Sequence, residues 1–388
     1  MEIVHLLLLV FLAIPLVVFG TYGLVVLYYS RPRKRRTDAV NRSAIDDESS
    51  PVVSIVVPTH NEEKIISKKI ENLLSVDYPQ GKLELIFVDD SNDSTPEIIE
   101  RYSGRPVKIR LIRFSERMGY SPSMIAGCKA ASGKIVVLND AGSFIDEEAV
   151  RTLVAHFSDP SVGAVTGRDV ILNVDEQVGK SENFYQRVFH ILRVAETNMD
   201  STFYIKGEAT AVRKALIEEL GTCGETFDTT VGLFIRQKGF KVVYDPEVRF
   251  YEYAPSTHSG RIKQKTIRAA NLVKVLWRFR SMMFKGEYGK YGWLILPMNF
   301  SMLVIAPVSI LCGLLLLILM TVIDLNLSLI LWSILGLALM VSLVVSRSFV
   351  LTAVEFEYSL LKALFQIAFT KKTHDKIDKI DSTRRPMN

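Results

Sequence analysis

Cysteine is scarce: Cys128, Cys223 and Cys312 lie far apart in 388 residues and form no C-x-x-C pair. That spacing gives no disulfide framework and suits a reducing compartment. A strong charge of one sign is also missing. With 47 Lys and Arg against 42 Asp and Glu, the formal net charge is +5, too small to argue for a nucleic-acid partner. The N-terminus lacks the basic start of a secretory signal. It carries Glu2 and His5 instead, and the apolar run behind them is too long for a signal. What the chain does have is apolar residues concentrated at its two ends, the pattern of a membrane protein with a polar middle.

Residues 3–29 are almost uninterruptedly apolar and long enough to cross a bilayer. The cluster Arg31-Pro32-Arg33-Lys34-Arg35-Arg36 follows at once. The positive-inside rule places it, and what comes after, in the cytoplasm. A membrane helix over 1–30 and a basic, polar linker over 31–50 are therefore expected. Residues 294–320 and 327–346 supply two more candidate spans joined near Asp324, within a membrane segment 293–346. Before them, 259–292 holds Arg261, Lys263, Lys265, Arg268, Lys274, Arg278 and Arg280 with Trp277 and Phe279 between. That composition predicts a basic amphipathic helix on the membrane surface, in contact with lipid. In 347–388, the polar residues Ser348, Thr352, Glu355, Ser359, Lys362 and Gln366 recur at spacings of 4, 3, 4, 3 and 4. They form one stripe on an apolar helix, either interfacial or a fourth span. The interfacial reading keeps the basic tail of Lys371, Lys372, Arg384 and Arg385 in the cytoplasm.

Between Pro51 and residue 258 the pattern is α/β. Apolar runs at 52–57, 85–88, 109–114, 134–138, 162–166, 209–213 and 241–244 read as strands. Helical patterns lie at 64–74, 97–102, 123–131, 147–157, 181–196 and 229–238, the last closed by Gly239. This alternation predicts a doubly wound, mostly parallel sheet. The stretch Leu85 to Thr95 is its most informative part. An apolar run ends in Asp89-Asp90, Ser-Asn-Asp-Ser-Thr follows, and Pro96 opens a helix. Carboxylates at the carboxyl end of a strand are placed to meet a ligand in the sheet crevice. The same residues also suit a helix cap. Two further strands end in polar clusters, at Pro58-Thr59-His60-Asn61-Glu62 and Asn139-Asp140-Ala141-Gly142-Ser143, and right-handed crossovers would gather all three on one edge.

Those clusters, in that order, resemble the inverting glycosyltransferases of family 2, which have the GT-A fold. The resemblance spans about residues 51–280. Besides the two strand ends and Asp89-Asp90, it is carried by Arg117-Met118-Gly119, Phe227-Asp228 and Gly239-Phe240-Lys241-Val242-Val243-Tyr244-Asp245-Pro246-Glu247. It implies that Pro58, His60, Glu62, Asp89, Asp90, Arg117, Asp140 and Ala141 bind a nucleotide-diphospho-sugar. Asp140 matches the first Asp of the family's D-x-D and is the expected residue for a divalent cation, Mg2+ or Mn2+. Gly142 replaces the second Asp, so Asn139, Ser143 or water would complete the shell, or metal dependence would be weak or absent.

Asp228 matches the Asp that acts in the family as general base on the acceptor hydroxyl. The acidic residue expected before it is replaced by Phe227. Either Glu225 substitutes, or Asp228 only caps the helix that follows. The Q-x-x-R-W of many polysaccharide synthases is missing; Gln264-Lys265-Thr266-Ile267-Arg268 stands there without a Trp. Lys265 and Arg268 would clamp the diphosphate or face lipid headgroups. The implied protein is a membrane-bound enzyme with a cytoplasmic catalytic domain. It moves a sugar from a nucleotide donor to a lipid-linked or membrane-associated acceptor in glycolipid or envelope-glycan synthesis. A processive polysaccharide synthase and a non-catalytic sugar-nucleotide-binding scaffold are the alternatives. Sugar, base, acceptor and oligomeric state are not legible.

Overall fold

A computed structural model describes residues 2–31, 47–221, 227–255 and 257–369. Most of the basic cluster after Arg31, Glu225, Cys223 and the C-terminal basic tail lie outside the described residues. The chain opens with helix α1 (Glu2–Ser30) and then builds an eight-stranded sheet. Its elements are β1 (Val53–Thr59), α2 (Ile66–Leu74), β2 (Leu83–Asp89), α3 (Thr95–Glu100), β3 (Lys108–Arg113), α4 (Tyr120–Ala130), β4 (Ile135–Leu138) and β5 (Phe144–Ile145). Then come α5 (Ala149–Ala155), β6 (Val162–Ile171), α6 (Gln177–Met199), β7 (Thr210–Arg213), α7 (Lys214–Glu218), α8 (Phe227–Gln237) and β8 (Lys241–Glu252). Helix α9 (His258–Arg278) leads to α10 (Tyr291–Ile323), α11 (Leu325–Val345) and α12 (Arg347–Phe369).

The strand order is β3-β2-β1-β4-β7-β6-β8-β5. β1, β2, β3 and β4 pair in parallel, as do β6 and β8, while β7 runs antiparallel to both neighbours and β5 to β8. The apolar runs are continuous because the sheet is covered on both faces. In β1, Val53, Ile55 and Val57 enter one core with α2 and α5, whereas Val56 enters the other with α4 and α8. Each such side chain contributes about 2 kcal/mol of burial, so the sheet is rigid where its loops begin. Gly239 ends α8 with φ +88°, a left-handed C-cap.

The register fixes which loops meet. Thr59 pairs with Asp89, Val56 with Leu138, and Leu138 with Thr210. The ends of β1, β2 and β4 therefore lie on one edge, and the start of antiparallel β7 is delivered to the same place. Two features differ from the sequence pattern. β6 and β8 run on to Ile171 and Glu252, with irregular register around Gly167, because long pairing continues past the bulge. The short β5 is a two-residue edge pair with β8, too brief to leave a periodic signal.

Among the described residues, three helices are long and apolar enough to cross a membrane: α1, α10 and Leu325–Val344 of α11. α10 contains two π-helical turns, Tyr291–Ile295 and Ser301–Ile305, each shortly before a proline, Pro297 or Pro307. α1 packs along α10, with Leu8 against Leu317 and Met320. Nearer the sheet domain, the Tyr22 hydroxyl donates to Glu196 of α6 at 2.8 Å, and Asn299 of α10 donates to the same oxygen at 2.7 Å. The middle of the α12 polar stripe faces protein: Thr352 and Ser359 are buried, and Glu355 pairs with the fully buried Arg261 of α9, whereas Lys362 is exposed. The other face of α12 exposes Phe349, Val354, Tyr358, Phe365 and Phe369.

Glu84 ties the parallel half together. Its buried carboxylate accepts from Ser54 Oγ at 2.7 Å and from Ser132 N and Oγ, each at 2.8 Å, and pairs with Lys108. Burial alone would raise its pKa, but these donors outweigh it and hold it down to about 2. The folded value lies below the ordinary one. The stabilisation is therefore full above the ordinary value of 4.5 and is lost as pH falls toward about 2. We expect Glu84→Ala to cost about 2 kcal/mol, read as a lower thermal midpoint at neutral pH, with the gap to wild type closing in acid.

Candidate active site

The donor side is assembled from the ends of β1 and β2. Asp89 is fully buried and accepts from Thr59 Oγ1 and Ser91 Oγ, both at 2.7 Å, so its oxygens shape the loop from within. Asp90 is the outer carboxylate. It meets His60 Nδ1 at 2.8 Å and accepts from the backbone N–H groups of Met118 and Gly119 at 2.8 and 3.3 Å. Gly119 has φ +81°, a conformation that suits glycine, and this turn brings the Arg117–Gly119 loop against Asp90. Arg117 is exposed on that loop, and Pro58 and Glu62 are half-buried. Glu62 N donates to Thr95 Oγ1, and Asp93 accepts from Thr95 N, so local capping and a ligand-facing rim coexist in one loop.

The β4 end carries half-buried Asp140 and buried Ala141. Asp140 Oδ1 accepts from the Tyr120 hydroxyl at 2.7 Å. Asn139 and Ser143 are fully buried. Asn139 Oδ1 and the Ser143 carbonyl accept from the buried ammonium of Lys69, while Asn139 Nδ2 donates to the Glu208 carbonyl. Burial pulls the pKa of Lys69 down to about 7 against the opposing charge of Asp140. Asn139 and the Ser143 backbone are already engaged in these hydrogen bonds, and no group of three His, Cys, Asp or Glu gathers among the described residues. The oxygen chemistry of Asp140 suits a hard cation that takes its other ligands from a phosphate and water. It does not suit one held by protein alone.

Asp228 sits in the first turn of α8 and is half-buried. Its Oδ2 accepts from Gly207 N at 3.2 Å, which turns the side chain across the site. A side chain at Gly207 would collide with the Tyr120 hydroxyl, so glycine is what lets this strap pass. Burial raises the pKa of Asp228 to about 6, assisted by the charge of Glu208 and opposed by the Gly207 N–H and Arg268. Glu208 is buried as well. Burial pushes it up to about 7, with Lys206 opposing and Asp140 and Glu252 assisting. Arg268 Nη2 lies 3.8 Å from Glu208, and Lys265 Nζ lies 3.6 Å from Glu182 and 3.8 Å from the centre of the Tyr185 ring. Both cations therefore face carboxylates of the sheet domain, Glu208 before β7 and Glu182 of α6. They line a cavity with Asp228 and Glu208 that extends to Met302, Leu303, Phe356 and Leu360.

Sequence reasoning passed over Lys69, Tyr120, Lys206 and Glu208. Lys69 reads as one more cation on an amphipathic helix. Tyr120 directly follows the Arg117-Met118-Gly119 motif and could have been found there. Lys206-Gly207-Glu208, two charges around a glycine just before a strand, is the other overlooked signal.

Comparison with known proteins bears on the family and the fold. Residues 54–221 match the model of glycosyl transferase family 2. The chain is 25% identical over 267 residues to poly-beta-1,6-N-acetyl-D-glucosamine synthase of Staphylococcus aureus (strain COL), covering 67% of this chain and 64% of the relative. It is 26% identical over 251 residues to probable glycosyltransferase YdaM of Bacillus subtilis (strain 168), covering 61% of this chain and 58% of the relative. The matched stretch thus spans less than two thirds of either relative. Among solved structures, the mannosyltransferase PcManGT from Pyrobaculum calidifontis, in complex with GDP-Man and Mn2+, superposes with a TM-score of 0.75 at 23% identity. That match covers 94% of this chain and 100% of that one, and it shows the same fold. Residues 54–221 are thus a glycosyl transferase family 2 domain, and the chain has the GT-A fold.

Proposed function

We propose that this enzyme transfers a sugar from a nucleotide-diphospho-sugar to a lipid-linked acceptor at the cytoplasmic membrane surface, with inversion at the anomeric carbon. One observation carries the reading. The cavity beside Asp228 has charged walls at that end and apolar walls of α10 and α12 at the other, which suits an amphiphile whose hydroxyl reaches Asp228. The nucleotide would lie over Pro58, His60, Glu62 and Asp90, with Arg117 beside it and the diphosphate at Asp140 and Ala141. Arg268 and Lys265 would then serve the acceptor side, given the carboxylates they face. A divalent cation shared between Asp140 and the diphosphate would supply charge neutralisation at the leaving group.

In the step itself, the acceptor oxygen forms a bond to the anomeric carbon as the bond from that carbon to the phosphate oxygen breaks. The electron pair leaves on the nucleoside diphosphate, and the hydroxyl proton passes to the Asp228 carboxylate. A second reading, repeated transfer to a growing glycan, is favoured by the similarity to the polysaccharide synthase. Product length separates the two.

Asp228→Asn is expected to lower transfer on the order of a hundred- to ten-thousand-fold while donor affinity stays within a few-fold, because the base acts on the acceptor proton. Initial rates and donor dissociation constants, with a thermal melt as folding control, check this. If the variant keeps more than about a tenth of the rate, Asp228 is not the base. In the wild type the base must be deprotonated, so kcat/KM should rise with pH through about 6 and level off above it. Asp140→Ala should remove most donor binding, measured by titration with a panel of nucleotide sugars with and without Mn2+. Unchanged affinity would place the diphosphate elsewhere.

A further inference from the structure

Three side chains in the wall of the cavity beside Asp228 carry a buried polar atom without a hydrogen-bond partner. They are Gln186 Oε1 of α6, Thr229 Oγ1 of α8 and Ser359 Oγ of α12. Gln186 is 5% exposed, Thr229 0% and Ser359 1%. An unpaired polar atom so deeply buried is costly and rare. Three of them around one cavity, from three helices, mark a place where a ligand completes the bonding. Their chemistry selects that ligand. Gln186 Nε2 donates to Glu182 at 3.0 Å, which leaves the amide oxygen as an acceptor that only a donor satisfies. The hydroxyls of Thr229 and Ser359 rotate to donate or accept.

The charges of the same wall point the same way. Glu182, Glu196, Glu208 and Asp228 stand against Arg193, Lys206, Lys265 and Arg268, four formal charges of each sign. Each of these cations already has a carboxylate. Arg193 and Lys206 take Asp169, Lys265 takes Glu182 at 3.6 Å, and Arg268 takes Glu208 at 3.8 Å. A phosphate entering here adds negative charge beside Asp228, and it can pair only by drawing a cation from a buried carboxylate, which is strongly unfavourable. An ionised phosphate also has no proton to give to Gln186 Oε1.

We propose that the acceptor presents an uncharged headgroup with several hydroxyls, a glycosyl lipid and not a lipid phosphate, and that Gln186, Thr229 and Ser359 determine this specificity. One hydroxyl meets Asp228 and its neighbours meet these three side chains. The apolar chain lies toward Leu303, Phe356 and Leu360. This rests on the reading of the cavity as the acceptor site.

The test uses the full-length protein in phosphatidylcholine nanodiscs with a panel of labelled nucleotide sugars. The discs carry glucosyl- or galactosyl-diacylglycerol in one arm and a polyprenyl phosphate in the other. Transfer to the neutral glycolipids should exceed transfer to the phosphate by about tenfold or more in kcat/KM. Equal or faster transfer to the polyprenyl phosphate overturns the proposal and leaves the lipid-acceptor reading standing. Transfer to neither, by protein that binds a donor, removes that reading and the proposal with it. Ser359→Ala and Thr229→Val each delete one hydroxyl. Each should raise the glycolipid KM about tenfold, with donor affinity within a few-fold of wild type. Neither should lower the thermal midpoint, because neither hydroxyl has a bond within the protein to lose. An unchanged KM in both folded variants overturns the assignment of these residues. If a variant does not fold, the comparison of the two lipid classes in the wild type decides.

Discussion

The site depends on how one buried ammonium is paired. Lys206 has 3% of its side chain exposed, and a charge so placed must find opposite charge or the fold loses several kcal/mol. It takes Asp169 from β6 and Glu252 from β8, while Arg193 of α6 closes on Asp169. Three elements are thereby obliged to meet at the start of β7, where the sheet changes from parallel to antiparallel. The backbone that follows Lys206 is held in place by that obligation. Gly207 offers its N–H to Asp228, and Glu208 offers its carbonyl to the loop of Asp140. The loops of Asp140 and Asp228 are thereby fixed to one strap.

The sheet was legible in the sequence because both of its faces are buried, so β1, β2 and β4 are plain apolar runs with polar ends. The three polar strand ends were legible for the same reason. Less visible was which carboxylate of each cluster looks outward. Asp89 and Asp90 are adjacent and chemically alike, and only the hydroxyls of Thr59 and Ser91 decide that the first turns in. Glu208 escaped because its place in the cavity wall comes from register, through the pairing of Leu138 with Thr210, and not from any local pattern. The stripe on α12 was found, but its covering was not. A polar row on an apolar helix looks the same whether water or Arg261 lies against it.

The acidic loop after β4 shows how one substitution changes a local charge balance. With Gly142 in place of a carboxylate and Lys69 beneath the loop, Asp140 faces a cation already supplied by the protein. The loop is stiffened from below by the buried Lys69 amine, which donates to Asn139 Oδ1 and the Ser143 carbonyl.

The contact of Tyr22, Asn299 and Glu196 joins residues that are made far apart in time. The carboxylate of Glu196 has its last donor only when residue 299 has left the ribosome and its helix has been placed. Until then the sheet domain carries an unfinished face. The first helix is thus a specific part of the catalytic body. A foreign hydrophobic helix grafted in its place would tether the enzyme equally well, yet leave that carboxylate without its phenol.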